Sequence, residues 1–283
     1  MHFIGDIMMS KRKIIIAVAP VAHKEKTIPD GVKNPVRSED IAREVLECAE
    51  AGASLVHLHV RDEEGNQIAG LESFKRTIDL IRAKSDIIIQ GSTGGKSSLS
   101  LEDRSASVNE SRVQMASLNM GSTNFGESVY INTWPDIRYW ALKMKKARVI
   151  PELEVFDLSM IESILCLVSE GVLDEPLHFN FSLGFKGALS ATADNIFRLK
   201  QALPQGASWS LIHEGMRDFS LLAVAIGCGA SGIRVGYEDG FEIEPGKIAT
   251  NAELVRHAAK LVRMMGCDVA SIKETRTLLG IIK

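Results

Sequence analysis

Short apolar runs alternate along the chain with longer stretches of helical periodicity. The first run, Lys13–Ala19, is continuous and β-branched, which is typical of a strand buried on both faces of a parallel sheet. A long polar loop follows. Ser38–Ala51 then has the periodicity of a helix, with Ser38 as its predicted N-cap and Gly52 as its stop. This order of strand, loop and helix repeats down the chain.

Eight apolar runs predict strands, and helical stretches separate most of them. The predicted strands are Lys13–Ala19, Ala53–Val60, Asp86–Gln90, Val113–Leu118, Ala147–Glu152, His178–Phe181, Ser208–His213 and Gly232–Val235. The predicted helices are Ser38–Ala51, Leu71–Ala83, Asp136–Lys146, Leu158–Glu170, Ala193–Leu203, Phe219–Gly227 and Asn251–Met265. This α/β alternation over 283 residues predicts a (β/α)8 TIM barrel. A doubly wound open sheet is the alternative, and the fourth strand is the least well defined.

The chain is predicted to form one barrel domain over residues 13–283, because neither an internal repeat nor a Pro/Gly/Ser-rich linker divides it. Ala270–Lys283 is predicted to be a helical extension that packs against the barrel or another subunit. Residues 1–12 are predicted to be a flexible leader, since their basic residues follow the short apolar patch. That order is wrong for a secretory signal.

Composition limits the classes of binding partner and the cellular compartment that the sequence predicts. A net charge of −3 and a pI of about 6.2 give no reason to expect nucleic acid or a membrane as a partner. Four scattered cysteines without C-x-x-C spacing suggest neither a disulfide framework nor a cysteine metal site. The predicted location is therefore the cytoplasm.

The segment Ser54–Asp62 places two histidines, His57 and His59, on alternate residues at the end of the second strand. Residues i and i+2 of a strand point to the same face, so both imidazoles would face the same way. This is a geometry for metal ligands, and a catalytic zinc site has three protein ligands and one open position. A strand with two structural histidines is the alternative for this motif alone.

The segment Gly232–Gly240 at the end of the eighth strand carries the second cluster of polar residues. Once a barrel closes, this strand lies two positions from the second one, so Glu238 can complete a site with the two histidines. Asp239 would be a base beside the metal, and Arg234 would hold it or a substrate carboxylate by paired hydrogen bonds. A turn capped by acidic residues is the alternative.

Two further strand ends carry candidate binding residues. The turn Gly91–Gly95 offers backbone N–H groups and hydroxyls to a carboxylate or phosphate. It lacks the lysine of a P-loop and does not match G-x-G-x-x-G, so it does not indicate a nucleotide. A tight connection between strand and helix is equally compatible with it. His213 is a possible ligand or acid–base group, although a single histidine at a strand end more often forms only local hydrogen bonds.

Four segments in this order, HLHVRD, IIIQGSTGG, PELEVFD and IRVGYEDG, together with SLNMGSTNFG between them, resemble the β-keto acid cleavage enzymes. The founding activity of that family is 3-keto-5-aminohexanoate cleavage, and the resemblance extends from about Lys13 to the C-terminus. It implies a (β/α)8 barrel, a homotetramer and one divalent metal, usually Zn²⁺, held by His57, His59 and Glu238. It also implies a retro-Claisen acyltransfer in which a β-keto acid and acetyl-CoA give acetoacetate and a new acyl-CoA.

The resemblance also assigns roles to other residues. The metal would chelate the keto acid, and Asp239, positioned by Arg234, Glu154 and Ser92, would start the proton transfers. Ser117 falls where the family often has threonine, which keeps the hydroxyl. The predicted substrate-binding residues are Ser117, Thr93, Gly94, Gly95 and His23.

Two departures from the family pattern leave questions open. The segment PVAH puts His23 where the family has an acidic residue for the substrate's amino group, which favours an anionic or neutral β-keto acid. After the seventh strand, HEGMRD replaces a glycine-rich turn near the CoA phosphates, and Glu214 would repel a phosphate. One alternative is therefore a CoA-independent, metal-dependent lyase or hydrolase on the same barrel. Another is a metal-bound small-molecule binding protein, against which Asp239 argues because binding needs no base.

Overall fold

The computed structural model describes residues 11–95 and 99–282, and its central feature is a closed barrel of parallel strands. The barrel strands are β1 (Lys13–Val18), β2 (Leu55–Leu58), β3 (Ile88–Gly91), β4 (Met115–Asn119), β5 (Ile150–Val155), β6 (His178–Leu183), β7 (Ser208–His213) and β8 (Gly232–Val235). Each strand pairs with the next, and residues 15–18 of β1 pair in parallel with Gly232–Val235. This closure confirms the predicted (β/α)8 barrel and rules out the open sheet.

Helices surround the barrel, and all of the predicted ones are present. They are α1 (Ser38–Ala51), α2 (Glu72–Arg82), α3 (Leu101–Arg104), α4 (Trp134–Ala147), α5 (Ser159–Ser169), α6 (Ala193–Ala202), α7 (Ser220–Gly227), α8 (Asn251–Met264) and α9 (Ile272–Leu278). The N-cap prediction for Ser38 is wrong, because Arg37 occupies the N-cap. The Ser38 hydroxyl instead donates to the Ser73 carbonyl at 3.0 Å, which joins α1 to α2.

Strand β5 begins later than predicted, at Ile150 rather than Ala147. Helix α4 continues through Ala147 and ends on Arg148, whose φ of 57° is left-handed. The strand also ends later than predicted, at Val155, so Glu154 lies inside β5 together with Glu152. Because they are two residues apart, both point into the barrel.

Five short strands and the one-turn helix α3 were not predicted from the sequence. The strands Thr123–Phe125 and Ser128–Tyr130 form a hairpin after β4, and Glu242–Glu244 pairs with Lys247–Ile248 after β8. Asp268–Val269 pairs in parallel with the start of β1. Runs of two or three residues are too short to show alternation, which is why the sequence pattern does not reveal them.

The barrel interior has an apolar lower layer at the N-terminal ends of the strands. Side chains of four strands form it together with Leu279 after α9: Ile15, Leu55, Ile88 and Met115. A hydrogen bond of 2.8 Å between Thr275 and Ser54 holds α9 beneath the barrel. The predicted C-terminal extension is thus a helix that closes the lower end of the barrel.

Residues 1–10 of the predicted leader lie outside the described residues. Arg12 is described, and its guanidinium donates to the Ile226 carbonyl, while its own carbonyl accepts from Asp268 N at 3.0 Å. The division into a leader and one barrel domain stays a prediction. In the described part of the chain, every helix is too short or too polar to cross a bilayer.

Candidate active site

Two histidines from β2 reach the upper, C-terminal end of the barrel interior. His57 lies within β2 and His59 directly after it, so the strand's period of two directs both inward. Their Nε2 atoms are 3.3 Å apart, and the rings meet edge to face. Burial lowers the pKa of His57 to about 3 and also lowers the pKa of His59. Both rings are therefore neutral near pH 7, which is the state that binds a metal.

Glu238 approaches the two histidines from the far side of the closed ring. Its backbone N–H donates to the Ala19 carbonyl at 3.1 Å. The turn before it needs glycine, since Gly236 has a φ of 130° and a Cβ there would lie 2.3 Å from the Ala19 oxygen. Glu238 Oε2 lies 3.3 Å from His59 Nε2, and Oε1 lies 3.9 Å from His57 Nε2.

These three side chains can act as one ligand set. One ligand atom from each of His57, His59 and Glu238 lies within 4.8 Å of the others. Burial alone would raise the pKa of Glu238, but His59, Arg234 and His57 outweigh it and hold that pKa well below its usual range. A carboxylate beside two neutral imidazoles is a donor set that fits Zn²⁺.

Arg234 and Asp239 form a buried pair next to this ligand set. Arg234 lies in β8, and its Nε and Nη2 donate to the two Asp239 carboxylate oxygens at 2.9 and 2.6 Å. Nη2 also lies 3.3 Å from Glu238 Oε1. Burial would lower the pKa of Arg234, but Asp239 and Glu238 raise it overall. The guanidinium therefore stays charged and fixes the orientation of the Asp239 carboxylate.

Glu154 lies in β5 among the charges of this site. Burial raises its pKa to about 8, and Glu152 adds to the rise, although Arg234 opposes it. Glu154 is therefore largely protonated at neutral pH, so it can donate a proton.

The glycine-rich turn after β3 has the compact form that its sequence predicts. Ser92 is buried, and its Oγ accepts from the Gly94 N–H at 3.0 Å. Gln67 donates to the Gly94 carbonyl at 2.7 Å, and a Cβ at Gly95 would lie 2.2 Å from the Gln67 amide nitrogen. A side chain at position 95 would therefore displace the Gln67 amide from this contact.

Thr93 and Ser117 bind each other. The Thr93 hydroxyl donates to the Ser117 carbonyl at 2.5 Å, and the Thr93 N–H donates to Ser117 Oγ at 3.2 Å. Both residues are buried. These bonds give Thr93 a role in joining the ends of β3 and β4.

His23 lies at the rim, in the loop after β1. Its side chain is 48% exposed, and its Nδ1 is 3.5 Å from Glu25 Oε2. Burial of the remainder and the charge of Lys26 lower its pKa. Because His23 is mainly neutral near pH 7, it adds little positive charge to the rim.

Glu214 is paired, which weakens the argument that it repels a CoA phosphate. Lys26 Nζ lies 3.1 Å from Glu214 Oε1, and the same ammonium donates to the backbone carbonyl of Glu238. Burial also raises the pKa of Glu214. Lys26 therefore offsets the negative charge of Glu214 and ties the β1–α1 loop to the active site.

Two buried polar atoms near the strand ends have no hydrogen-bond partner among the described residues: Asn119 Oδ1 and His213 Nδ1. Asn119 is two residues after Ser117 on the same face of β4 and is in register with Glu154. The sequence places Asn119 and Gln90 among the polar residues at the strand ends without assigning either a role, and it does not mark Lys26. The period of two was a usable signal for Asn119 and Gln90, whereas the sequence carried none for Lys26.

A cleft leads to the ligand set. Its walls include His59 and Glu238, with apolar side chains from the β1–α1 loop and α2. Charged groups in an otherwise apolar cleft are typical of a site that binds a small polar molecule.

Comparisons with known proteins point to one family. The family model described as beta-keto acid cleavage enzyme matches residues 13–281. The chain is 38% identical over 272 residues to a 3-keto-5-aminohexanoate cleavage enzyme of Acetoanaerobium sticklandii, which covers 95% of this chain and 99% of that protein. It is 34% identical over 279 residues to a 3-oxoadipate:acetyl-CoA acetyltransferase of Cupriavidus necator, covering 94% of each.

A solved structure supports the fold. The ternary complex of ObcA with a C4-CoA adduct and oxalate superposes with a TM-score of 0.72, over 87% of this chain and 67% of that one. The sequence identity is 20%, so this likeness concerns the fold alone.

Proposed function

We propose that this chain, which belongs to the β-keto acid cleavage enzyme family, cleaves a β-keto acid with acetyl-CoA to give acetoacetate and a new acyl-CoA. The observation that carries this proposal is the convergence of His57, His59 and Glu238 beside the buried pair of Arg234 and Asp239. Relatives named as a 3-keto-5-aminohexanoate cleavage enzyme and a 3-oxoadipate:acetyl-CoA acetyltransferase support both substrates.

We infer that His57, His59 and Glu238 hold a divalent cation, with Zn²⁺ as the first choice. Two neutral imidazoles and a carboxylate give three protein ligands, which leaves coordination positions for the substrate. When bound, the cation would polarise the ketone of the keto acid and stabilise the negative charge that develops as the C–C bond breaks.

The acyl transfer balances without any further reactant. Asp239 removes a proton from C2 of the keto acid, and C2 then attacks the acetyl carbonyl of acetyl-CoA and displaces the CoA thiolate. The thiolate adds to C3, the bond between C2 and C3 breaks, and C2 regains a proton to give acetoacetate. The acyl group that contains C3 becomes bound to the CoA sulfur. Because Glu214 is paired with Lys26, the main reason for preferring a CoA-independent lyase or hydrolase has weakened.

The proton transfers are assigned to the chain's own carboxyl groups. Asp239, whose carboxylate orientation Arg234 fixes through two hydrogen bonds, acts as the general base. Glu154 is largely protonated near pH 7 and positions or returns a proton. Ser92 lies at the end of β3 and helps to position Asp239.

Substrate binding is proposed for the residues at the upper strand ends. Ser117, Thr93, Gly94 and Gly95 would surround the carboxylate end of the keto acid, and His23 would lie beside its tail. Arg61 places a positive charge near His59, and His23 replaces the acidic residue that would attract a cationic tail. We therefore propose that the tail is anionic or neutral.

A homotetramer and a cytoplasmic location complete the proposal. Apolar side chains are exposed in and after the hairpin that follows β4: Phe125, Val129, Ile131 and Trp134. A second subunit covering them would remove this surface from water. The four cysteines are free, which supports a reducing compartment.

Assays with a panel of β-keto acids test the activity. Purified, Zn²⁺-loaded protein is given acetyl-CoA and keto acids with cationic, neutral or anionic tails, and acetoacetate is measured. We expect acetoacetate only when acetyl-CoA is present, with anionic or neutral tails preferred and with no product from His57→Ala. Acetoacetate formed without acetyl-CoA would contradict the acyltransfer and favour a lyase or hydrolase.

A further inference from the structure

A chain of buried hydrogen bonds connects a ligand histidine to a carboxyl group on the other side of β4. His57 Nδ1 lies 2.7 Å from Gln90 Oε1, and Gln90 Nε2 donates to Glu152 Oε2 at 2.9 Å. His57 and Gln90 are direct neighbours in the register of β2 and β3. All three side chains are buried, so water does not compete strongly for these bonds.

The direction of these hydrogen bonds determines which nitrogen of His57 carries the proton. The Glu152 oxygen accepts a hydrogen bond, so the NH₂ group of Gln90 faces Glu152 and its carbonyl oxygen faces His57. A carbonyl oxygen only accepts, and His57 Nδ1 must therefore carry the proton. The lone pair is then on Nε2, the atom that faces His59 and Glu238.

Glu152 is itself held in place by its surroundings. The Asn180 side chain also donates a hydrogen bond to it, and Arg234 lies within its electrostatic range. His178 Nε2 is 3.9 Å from Glu152 Oε1. A buried carboxyl group costs stability unless it is hydrogen-bonded. The proposed acyltransfer assigns Glu152 no contact with the substrate, so its burial calls for another role.

We propose that Glu152 is a positioning residue that acts through Gln90 to hold His57 in the metal-binding tautomer and orientation. Outer hydrogen bonds of this kind fix the ring of a ligand histidine and strengthen metal binding. This inference rests on the proposed metal site, and it assigns functions to Glu152 and Gln90 beyond the ligand set.

The test measures the Zn²⁺ dissociation constant of the folded, full-length protein by competition with a chelator. Gln90→Met keeps the length of the side chain but removes the acceptor, and we expect Zn²⁺ binding to weaken about 10–100-fold. Glu152→Leu leaves the Gln90 amide free to rotate and should also weaken binding. Glu152→Gln keeps an oxygen acceptor, so it should bind Zn²⁺ nearly as tightly as the parent.

Thr275→Val is the matched control, because it removes a buried hydrogen bond of 2.8 Å to Ser54 at the lower end of the barrel, away from Gln90, Glu152 and their partners. It should leave Zn²⁺ affinity unchanged. The absorption spectrum of the Co²⁺-substituted protein gives a second measure, and it should change in Gln90→Met and Glu152→Leu only.

Unchanged Zn²⁺ affinity in both Gln90→Met and Glu152→Leu would overturn the inference while leaving the metal site intact. Equal losses in Glu152→Gln and Glu152→Leu would also overturn it, because only the leucine removes the acceptor. A parent protein that binds no Zn²⁺ would instead refute the proposed metal site itself. Thermal unfolding of each metal-free variant separates weaker binding from a loss of folded protein.

Discussion

The lower and upper layers of the barrel interior lie on the same strands and differ by a step of two residues. Leu55 in β2 and Ile88 in β3 belong to the apolar lower layer. Two residues further on, His57 and Gln90 belong to a polar upper layer, which also contains Ser117, Glu152, Glu154, Asn180 and Arg234. On the inward face of these strands, the side chains thus change from apolar packing residues to polar site residues within one two-residue repeat of the pleat.

The two layers differ in what they contribute to stability. The lower layer removes apolar surface from water, and Leu279 closes it from below. The upper layer holds charged groups away from water, which is tolerated only where each has a partner. The lower layer therefore contributes to stability by apolar burial, whereas the upper layer carries the functional groups. Substitutions in either layer should separate these two properties.

The largest expected effect follows from removing a metal ligand in the upper layer. Glu238→Ala should lower turnover by at least about 10³-fold, the scale seen when an essential group is lost, because the carboxylate of the ligand set is gone. Bound Zn²⁺ is measured alongside acetoacetate formation. Glu244→Ala, in the exposed hairpin after β8, is the control. Turnover in Glu238→Ala close to that of the parent would refute the ligand set.

Asp239→Asn tests the proposed general base separately from the metal ligands. We expect turnover to fall by about 10²–10⁴-fold, because the amide cannot take a proton, while Zn²⁺ stays bound. Zinc content and kcat are measured on the same preparation. Unchanged kcat in a preparation that retains Zn²⁺ would contradict the role of Asp239 as the base.

Two adjacent leucines at the lower layer test the converse case, in which stability falls while kcat is kept. Leu279 is 3% exposed and Leu278 is 41% exposed. Leu279→Ala should lower the free energy of unfolding by about 2–5 kcal/mol because it leaves a cavity, and Leu278→Ala should change it much less. Urea unfolding measures both. Folded Leu279→Ala should keep the parent's kcat, and a large loss of kcat would show that the layers are not separable.

The smallest expected effect comes from replacing Glu154 in the upper layer, which should raise the free energy of unfolding by an amount that depends on pH. Glu154 has its pKa raised from 4.5 to about 8. Between these values the unfolded chain loses the proton that the folded chain keeps, so stability falls as pH rises through this window. Glu154→Gln should therefore stabilise the metal-free protein at pH 8.5 by on the order of 3 kcal/mol, and much less at pH 5.

Urea unfolding at the two pH values checks this prediction, with Glu162→Gln on the exposed face of α5 as the control. An equal gain at both pH values would show that the raised pKa of Glu154 is not the cause.

Local patterns were enough to predict the barrel and to select the candidate ligands. The period of two in β2 placed His57 and His59 on one face, and closure of an eight-strand ring brought Glu238 to them. The start of β5 was missed because the left-handed Arg148 ends α4 without a glycine. No local pattern encodes where a helix ends when the terminating residue is an ordinary one.

Contacts between distant segments were beyond the reach of sequence patterns. Lys26 and Glu214 come together only because the β1–α1 loop folds over the strand ends. Gln90 meets Glu152 across the intervening strand β4, and a single sequence does not show such a pairing. Charge and hydrogen-bond networks of this type determine the electrostatics of the site, so its chemistry was less predictable than its fold.

Transfer of a carbon label tests the proposed acyltransfer most directly. Zn²⁺-loaded protein is given acetyl-CoA labelled with ¹³C at the carbonyl, together with an unlabelled β-keto acid, and the acetoacetate is examined by ¹³C NMR. We predict that the label appears at the ketone carbon of acetoacetate, because the acetyl group joins the two-carbon fragment of the keto acid. Unlabelled acetoacetate, or label retained entirely in acetyl-CoA while the keto acid is consumed, would contradict the proposed reaction.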